Sequence, residues 1–310
     1  GTFWEMQSLR NEIMGVSFDN ITLDEAIEQG AELAQGPGFS YVVTPNPEIV
    51  NLARQTKEYE DNLNGAGLVL PDGIGVVYAA KILGCPLKGR VPGIDFATGL
   101  LARLEVSGQL LFLLGAKPGV AEQAAANLKE QYPNLVICGT NDGYFQDSAP
   151  VVEKIRAAGA DVVFVCLGAP KQERWMARYG PDTGAHLMVG LGGVLDVYAG
   201  NVKRAPEIWP KLGMEWLYRL IRQPSRIGRM AKLPLFLVDA RKARKKEGAR
   251  LRVHSLSSRG LTAPASPRSS NGSAGGQRRR AFPFSGWFSP SIRRNPLPSS
   301  GCIWPGSLGT

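Results

Sequence analysis

Short apolar runs alternate with amphipathic segments along the first two hundred residues of the chain. The runs are continuous rather than alternating, as in strands that a parallel sheet buries on both faces. They predict six strands, at Ser40–Thr44, Gly67–Leu70, Gln109–Leu114, Leu135–Cys138, Asp161–Leu167 and Leu187–Leu191. Helical patterns separate them, at Leu23–Leu33, Gly73–Leu83, Asp95–Leu104, Pro118–Gln131 and Pro150–Ala158. The alternation predicts an α/β fold with a Rossmann-like, doubly wound and mostly parallel sheet.

Composition divides the chain into four parts. An N-terminal extension, residues 1–9, precedes a Rossmann-like domain that we place at residues 10–204. Residues 205–247 are rich in Trp, Arg and Lys, and they predict a basic, amphipathic helical appendage. Residues 248–310 contain no Asp or Glu and consist largely of Ser, Gly, Pro and Arg, so they predict a disordered tail that resembles translated non-coding sequence.

The net charge of +9 hides an asymmetry between the body of the chain and its C-terminal end. Residues 1–200 hold 14 Lys and Arg against 23 Asp and Glu, whereas residues 201–310 hold 22 against 4. The basic end predicts an anionic partner such as a lipid headgroup or a diphosphate, and the acidic body argues against nucleic acid. No apolar run reaches the ~18–20 residues of a membrane span, so we expect a soluble protein or one that lies on a membrane surface.

One carboxylate stands out as a candidate for acid–base chemistry. In the run Leu70-Pro71-Asp72-Gly73-Ile74-Gly75, an apolar strand ends and delivers Asp72 to a glycine-rich turn that opens a helix. Ligands of open α/β sheets bind at the carboxyl ends of the strands. The chain has only two histidines, so Asp72 is the candidate general base. The alternative is that Asp72 only caps the following helix.

Three further loops follow predicted strands in the same way. Each places the start of a helix at one rim of the sheet, where free N–H groups favour an anion, and together they indicate a phosphate-bearing substrate. These loops and the glycine-containing loop around residue 90 contribute five candidate binding residues: Thr44, Asn46, Arg90, Gln172 and Asp196. The alternatives are that Thr44 and Asn46 cap a helix, that Arg90 is a solvated charge, and that Gln172 and Asp196 are surface or cap residues.

Familiar cofactor and metal motifs do not fit the chain. Gly190–Leu195 begins like a dinucleotide-binding glycine motif but ends in Leu, and no P-loop is present. The sequence lacks an Asp-x-Asp pair, the usual cue for a divalent ion that holds a nucleotide-sugar diphosphate. Its four cysteines are scattered without metal-ligand spacing, and Cys166 lies in an apolar run typical of a packed core thiol. We therefore predict neither a cofactor nor a bound metal.

The basic appendage carries a regular arginine row. Arg219, Arg222, Arg226 and Arg229 are spaced by three, four and three residues, which places them on one face of a helix. Tryptophans and aliphatic residues beside this row, including Trp209 and Trp216, favour a segment that lies on a membrane surface. The alternative is an ordinary solvated helix packed on the body.

Over about residues 10–245 the chain resembles the WecG/TagA/CpsF family of bacterial glycosyltransferases. The resemblance rests on six runs in the same order: Thr44–Glu48, Leu70–Gly75, Arg90–Gly93, Leu114–Gly119, Gly168–Glu173 and Gly193–Ala205. It implies inverting transfer, without a metal, of N-acetylmannosamine from UDP to the 4-hydroxyl of GlcNAc-diphosphoundecaprenol, in the synthesis of wall teichoic acid or another surface polymer. It also implies a cytoplasmic protein, peripheral on the inner face of the cell membrane.

The resemblance assigns a role to each candidate residue. Asp72 matches the family's general base, and Thr44, Asn46, Arg90, Gln172 and Asp196 match positions of the donor pocket. Arg219, Arg226 and Arg229 match the C-terminal appendage that closes over the donor diphosphate at the membrane.

Several alternatives stay open on the sequence alone. The sugar could be another UDP-linked one, such as N-acetylmannosamine uronate or glucose, since pocket shape rather than a motif decides it. A nucleotide-dependent oxidoreductase or a non-catalytic module for anionic lipid would belong to a different class. A homo-oligomer also stays open.

Overall fold

The computed structural model describes residues 10–202 and 234–245. Its main sheet has six strands, all parallel: β3 (Ser40–Val43), β4 (Leu68–Val69), β5 (Leu110–Gly115), β6 (Val136–Asn141), β7 (Val162–Cys166) and β8 (Leu187–Gly190). Their order across the sheet is β4-β3-β8-β7-β5-β6. All six predicted strands and the predicted α/β class are confirmed.

Ten α-helices accompany these strands within the described residues. They are α1 (Leu23–Gln35), α2 (Pro47–Ala53), α3 (Lys57–Asn64), α4 (Ile74–Leu83), α5 (Gly93–Ser107), α6 (Val120–Gln131), α7 (Ala149–Ala157), α8 (Lys171–Tyr179), α9 (Val194–Tyr198) and α10 (residues 234–245). The five helices predicted from periodicity are confirmed as α1, α4, α5, α6 and α7. Helix α3 was not predicted.

The strands separate two hydrophobic cores, which explains their continuous apolar sequences. On β5, Leu111 and Leu113 belong to the core that also contains residues of α1, α5, α6 and α9, while Phe112 and Leu114 belong to the core with residues of α2, α3, α4, α7 and α8. All four side chains are fully buried. A strand that is covered on both faces has no solvent-exposed side. Its sequence is therefore continuously hydrophobic and does not alternate between polar and apolar residues.

The helix that follows β8 leaves the sheet on the face opposite to the helices that follow its two neighbours, β3 and β7. Helix α9, after β8, packs in one core through Val194 and Leu195. Helices α2 and α8, which follow the flanking strands β3 and β7, pack in the other core. Such a reversal opens a crevice at the carboxyl ends of the strands, where ligands bind in open α/β sheets.

A two-stranded hairpin, absent from our sequence prediction, precedes the main sheet. Strands β1 (Arg10–Ile13) and β2 (Val16–Asp19) pair antiparallel. The buried Asp19 carboxylate accepts a 2.7 Å hydrogen bond from the backbone N–H of Val69 and pairs with Arg10 at 3.2 Å. The hairpin is thereby attached to the edge strand β4.

Helix α10 belongs to the same compact unit as the sheet up to Arg244. Phe236 and Ala240 are buried in the core that contains α2, α3 and α4. At the surface, Arg54 pairs with Asp239 at 3.2 Å, and the Arg244 guanidinium donates to the carbonyl of Ile82 at 2.9 Å. Part of the predicted appendage thus packs on the body of the protein.

The remaining terminal predictions fall on residues outside the description. The N-terminal extension, the arginine row of Arg219, Arg226 and Arg229, and the predicted tail lie within residues 1–9, 203–233 and 246–310. Among the described helices, none combines the length and the hydropathy needed to cross a membrane.

Candidate active site

The four loops selected from the sequence follow four strands that are adjacent in the sheet. Asp72 follows β4, Thr44 and Asn46 follow β3, Asp196 lies beyond β8, and Gln172 lies beyond β7. Because the sheet is parallel, all four loops lie at its carboxyl edge. Residues as far apart in sequence as Thr44 and Asp196 thereby line one continuous rim.

The Asp72 side chain is held by the loop that precedes α5. Its Oδ2 accepts a 3.4 Å hydrogen bond from the backbone N–H of Gly93, and its Oδ1 lies 3.8 Å from Nη2 of Arg90. Gly73, and not Asp72, occupies the N-cap position of helix α4. Gly73 adopts φ 106°, which favours glycine at the turn that follows the carboxylate.

Arg90 is an inward-directed charge rather than a solvated one. Its side chain is only 20% exposed, and the backbone N–H of Val91 donates to the carbonyl of Pro71 at 2.9 Å. This backbone bond fixes the Arg90 loop against the Asp72 loop. The positive guanidinium compensates the negative charge of the Asp72 carboxylate, a third of whose side chain stays exposed.

Thr44 connects the ends of β3 and β8. Its hydroxyl is buried and donates to the carbonyl of Gly190 at 3.1 Å. A Cβ added at Gly93 would lie 3.1 Å from Cγ2 of Thr44, so the start of α5 approaches this threonine closely. Thr44 therefore anchors the rim and does not cap a helix.

Asn46 does cap a helix, as the alternative held. Its Oδ1 accepts a 3.0 Å hydrogen bond from the backbone N–H of Ile49 at the start of α2. Its amide nitrogen donates no hydrogen bond within the described part of the chain. A cap of this kind leaves an N–H₂ group available for an oxygen of a ligand.

Gln172 is a buried polar residue at the start of α8. Its Oε1 accepts a 2.9 Å hydrogen bond from the backbone N–H of Gly192, and its Nε2 donates to Oε1 of Glu173 at 2.8 Å. The side chain therefore connects the loop after β7 to the loop after β8. It is neither a surface residue nor a cap.

Glu173 and Tyr59 were missed by the sequence analysis. Glu173 is 1% exposed, and its Oε2 accepts a 3.1 Å hydrogen bond from the Tyr59 hydroxyl. Burial raises the pKa of Glu173, against the opposing effect of hydrogen bonds from Gln172 and Tyr59. The run Gly168–Glu173 contained the glutamate, but no local pattern could reveal a partner 114 residues away.

Asp196 lies in the first turn of α9 and is partly exposed. Its carboxylate forms no hydrogen bond or ion pair with the other candidate residues described here. Nearby, backbone N–H groups of Leu195 and Val194 donate to the Cys166 sulfur, and burial raises the pKa of that thiol to about 12. Cys166 is therefore an inert core thiol, as predicted.

No cluster of three or more His, Cys, Asp and Glu side chains with a metal-binding arrangement occurs among residues 10–202 and 234–245. The candidate site consists of one partly exposed carboxylate with its arginine, two polar residues after β3, and a buried amide that holds the loop after β8.

Comparison with known proteins identifies relatives along most of the chain. Residues 11–250 match the family model described as the glycosyl transferase WecG/TagA/CpsF family. Two similar relatives are each named N-acetylglucosaminyldiphosphoundecaprenol N-acetyl-beta-D-mannosaminyltransferase. The protein from Bacillus spizizenii is 40% identical over 198 residues, 64% of this chain and 77% of its own. The protein from Staphylococcus aureus is 38% identical over 238 residues, 76% of this chain and 93% of its own. The chain therefore belongs to the WecG/TagA/CpsF family of glycosyltransferases.

Proposed function

We propose that this glycosyltransferase moves N-acetylmannosamine from a UDP-linked donor to the 4-hydroxyl of GlcNAc-diphosphoundecaprenol. The observation that carries the proposal is the match to 93% of a Staphylococcus aureus protein whose name states the transfer of N-acetylmannosamine to N-acetylglucosaminyldiphosphoundecaprenol. Such a product belongs to the linkage unit of wall teichoic acid or to another surface polymer.

In the proposed mechanism Asp72 is the general base. Its carboxylate takes the proton of the acceptor hydroxyl while that oxygen forms a bond to the anomeric carbon of the donor. The bond from this carbon to the diphosphate oxygen breaks, and UDP leaves with the electron pair from the opposite face, so the anomeric configuration inverts. The exposure of Asp72 at the rim supports this role, since the carboxylate is within reach of an incoming hydroxyl.

The donor pocket consists, in this proposal, of Thr44, Asn46, Arg90, Gln172 and Asp196. The Asn46 amide is suited to donate to an oxygen of the sugar nucleotide, and Arg90 is suited to pair with the Asp72 carboxylate. Arg219, Arg226 and Arg229 meet the charge that develops on UDP, and no metal takes part. The basic C-terminal region places the enzyme on the cytoplasmic membrane surface, where its lipid-linked acceptor resides.

The first experiment measures UDP release from UDP-N-acetylmannosamine with a short-chain GlcNAc-diphospholipid acceptor in the presence of EDTA. Wild type is compared with Asp72→Asn, and Asp182→Asn provides the same chemical change at the opposite edge of the sheet. General-base catalysis contributes about 10²–10⁴ in rate, so we expect Asp72→Asn to lose that factor while Asp182→Asn keeps the wild-type rate.

Each outcome bears on a separate part of the proposal. Release that requires acceptor and falls only in Asp72→Asn supports the transfer and its base. Activity abolished by EDTA and restored by a divalent ion would overturn metal independence. Release from another UDP-sugar but not from UDP-N-acetylmannosamine would overturn the sugar assignment.

A further inference from the structure

A chain of buried hydrogen bonds leads from helix α3 to the loop after β8. The Tyr59 hydroxyl donates to Glu173 at 3.1 Å, and the Gln172 amide donates to the other oxygen of Glu173 at 2.8 Å. The Gln172 oxygen then accepts the backbone N–H of Gly192 at 2.9 Å. The proposed mechanism uses Gln172 but assigns no task to Glu173 or Tyr59.

The order of donors and acceptors in this chain fixes the orientation of the Gln172 amide. An oxygen of Glu173 accepts from Nε2 of Gln172, so the amide oxygen must point towards Gly192. With the amide reversed, two oxygens would face each other at Glu173 and two N–H groups would face each other at Gly192. A hydrogen-bond acceptor at residue 173 therefore determines that Gln172 presents its amide oxygen, and not its N–H₂ group, to the loop after β8.

The loop that receives this amide is packed tightly against it. A Cβ added at Gly190 would lie 3.1 Å from Nε2 of Gln172 and 2.8 Å from Cε of Met176. The carbonyl of Gly190 also accepts the Thr44 hydroxyl. The backbone from Gly190 to Gly192 is thus held by Thr44 on one side and by Gln172 on the other.

We propose that Glu173 is a positioning residue of the transfer reaction: supported by Tyr59, it orients the Gln172 amide and so fixes the loop after β8 that leads to Asp196. The inference rests on the proposed function, because it assumes that this loop forms part of the donor pocket. Glu173 itself, at 1% exposure, does not reach a substrate.

The orientation holds in either protonation state of Glu173. The ionised carboxylate accepts from both neighbours. A proton on Oε2 would be donated to the Tyr59 oxygen, and Oε1 would still accept from Gln172. Glutamine at this position can reproduce the protonated arrangement, whereas methionine, which has a similar volume, offers no comparable acceptor.

The kinetic test compares Glu173→Met with Glu173→Gln. Loss of the acceptor should raise the donor KM by about threefold to tenfold in Glu173→Met, the range expected for one buried hydrogen bond. Glu173→Gln should stay within about twofold of wild type. Asp161→Asn is the matched control, because its carboxylate holds the backbone N–H of Leu110 at the opposite edge of the sheet. It should lower Tm without changing the donor KM.

A second readout needs no substrate and therefore does not depend on the proposed function. Hydrogen exchange followed by mass spectrometry should show faster exchange in the peptide containing residues 190–196 of Glu173→Met, with the β5 peptide unchanged. If Glu173→Met does not fold, Tyr59→Phe carries the test, with a donor KM about twofold to threefold higher and the same local exchange.

The results separate the two proposals. Suppose that wild type does not use UDP-N-acetylmannosamine but that Glu173→Met shows faster exchange in residues 190–196. This result would overturn the proposed function and would support the positioning role of Glu173. Wild-type donor KM and unchanged exchange in Glu173→Met would overturn the positioning role alone. Equal donor KM changes in Glu173→Met and Glu173→Gln would also overturn it, because the acceptor would then be irrelevant.

Discussion

Arg90 and Asp72 lie on the two loops that flank helix α4, with the guanidinium 3.8 Å from the carboxylate. The ion pair thus connects the loop before α4 to the loop after it. The backbone N–H of Gly93 donates to the other oxygen of the Asp72 carboxylate. The position of Asp72 at the rim is thus determined from two sides by the segment that follows α4.

Replacing Arg90 should lower the rate of transfer without unfolding the protein. Arg90→Gln removes a charged partner of a partly buried carboxylate, and we expect the rate to fall about tenfold to hundredfold. Arg103→Gln, which breaks an exposed ion pair with Glu28, should have little effect. Transfer rates at saturating donor, with circular dichroism as the check on folding, make the comparison. Equal rates for the two variants would show that Arg90 does not support Asp72.

Two substitutions separate the structural role of Asn46 from its proposed binding role. Asn46→Asp keeps the oxygen that caps α2 but replaces the amide N–H₂ with a charge that repels a diphosphate. Its stability should match wild type, while the donor KM should rise about tenfold or more. Asn46→Ala should lose about 1 kcal/mol of unfolding free energy as well. Urea denaturation and donor KM test both, and an unchanged donor KM in Asn46→Asp would contradict the binding role.

Helix α10 should contribute measurably to the stability of the fold. Phe236 is buried in the core beside α2, α3 and α4, so Phe236→Ala should cost about 3–5 kcal/mol in unfolding free energy. Leu235, its neighbour, is 64% exposed, and Leu235→Ala should stay within about 0.5 kcal/mol of wild type. Urea denaturation of both variants tests this. Similar costs for the two variants would show that α10 does not pack as described.

Glu173 should make stability depend on pH. Burial raises the pKa of this carboxyl, so its contribution to stability is present below the ordinary glutamate pKa and is lost as the pH rises through the raised value. The Gln172 amide and the Tyr59 hydroxyl both donate to this carboxylate. Burial also raises the pKa of the Tyr59 hydroxyl, on which the nearby charges of Arg174 and Glu48 have smaller, opposite effects.

Glu173→Gln removes this titration. The unfolding free energy of the variant minus that of wild type should therefore increase as the pH rises from the ordinary glutamate pKa to the raised pKa of Glu173. Above the raised pKa the difference should level off. Urea denaturation at a series of pH values upward from the ordinary glutamate pKa of about 4.3 provides the measurement. A difference that does not change with pH for Glu173→Gln would contradict the burial argument.

The parallel sheet could be predicted because most of its strands are buried on both faces. Leu110–Gly115 and Val162–Cys166 form unbroken apolar runs, and such runs indicate a strand wherever helical segments separate them. The hairpin β1–β2 was not predicted, because its strands are four residues long and mix buried with partly exposed positions. A pattern that short does not distinguish a strand from a loop.

The candidate site was predictable at the level of loops, but not of contacts. Asp72 and Thr44 each follow an apolar run, which indicates the carboxyl end of a strand. Whether such a side chain caps a helix or joins the rim depends on hydrogen bonds to backbone groups that are distant in sequence. Thr44 donates to Gly190, whereas Asn46 caps its own helix, and both residue types are equally suited to either task.

Strand β8 is the last strand of the sheet in chain order, yet it lies between β3 and β7. Without it, β4-β3 and β7-β5-β6 are two separate strips, and the four rim loops have no common edge. During synthesis, the candidate site therefore cannot assemble until residues near 190 have left the ribosome and inserted between the strips. A nascent or truncated chain that lacks β8 should be unable to form the proposed donor pocket, whatever structure its earlier strands have reached.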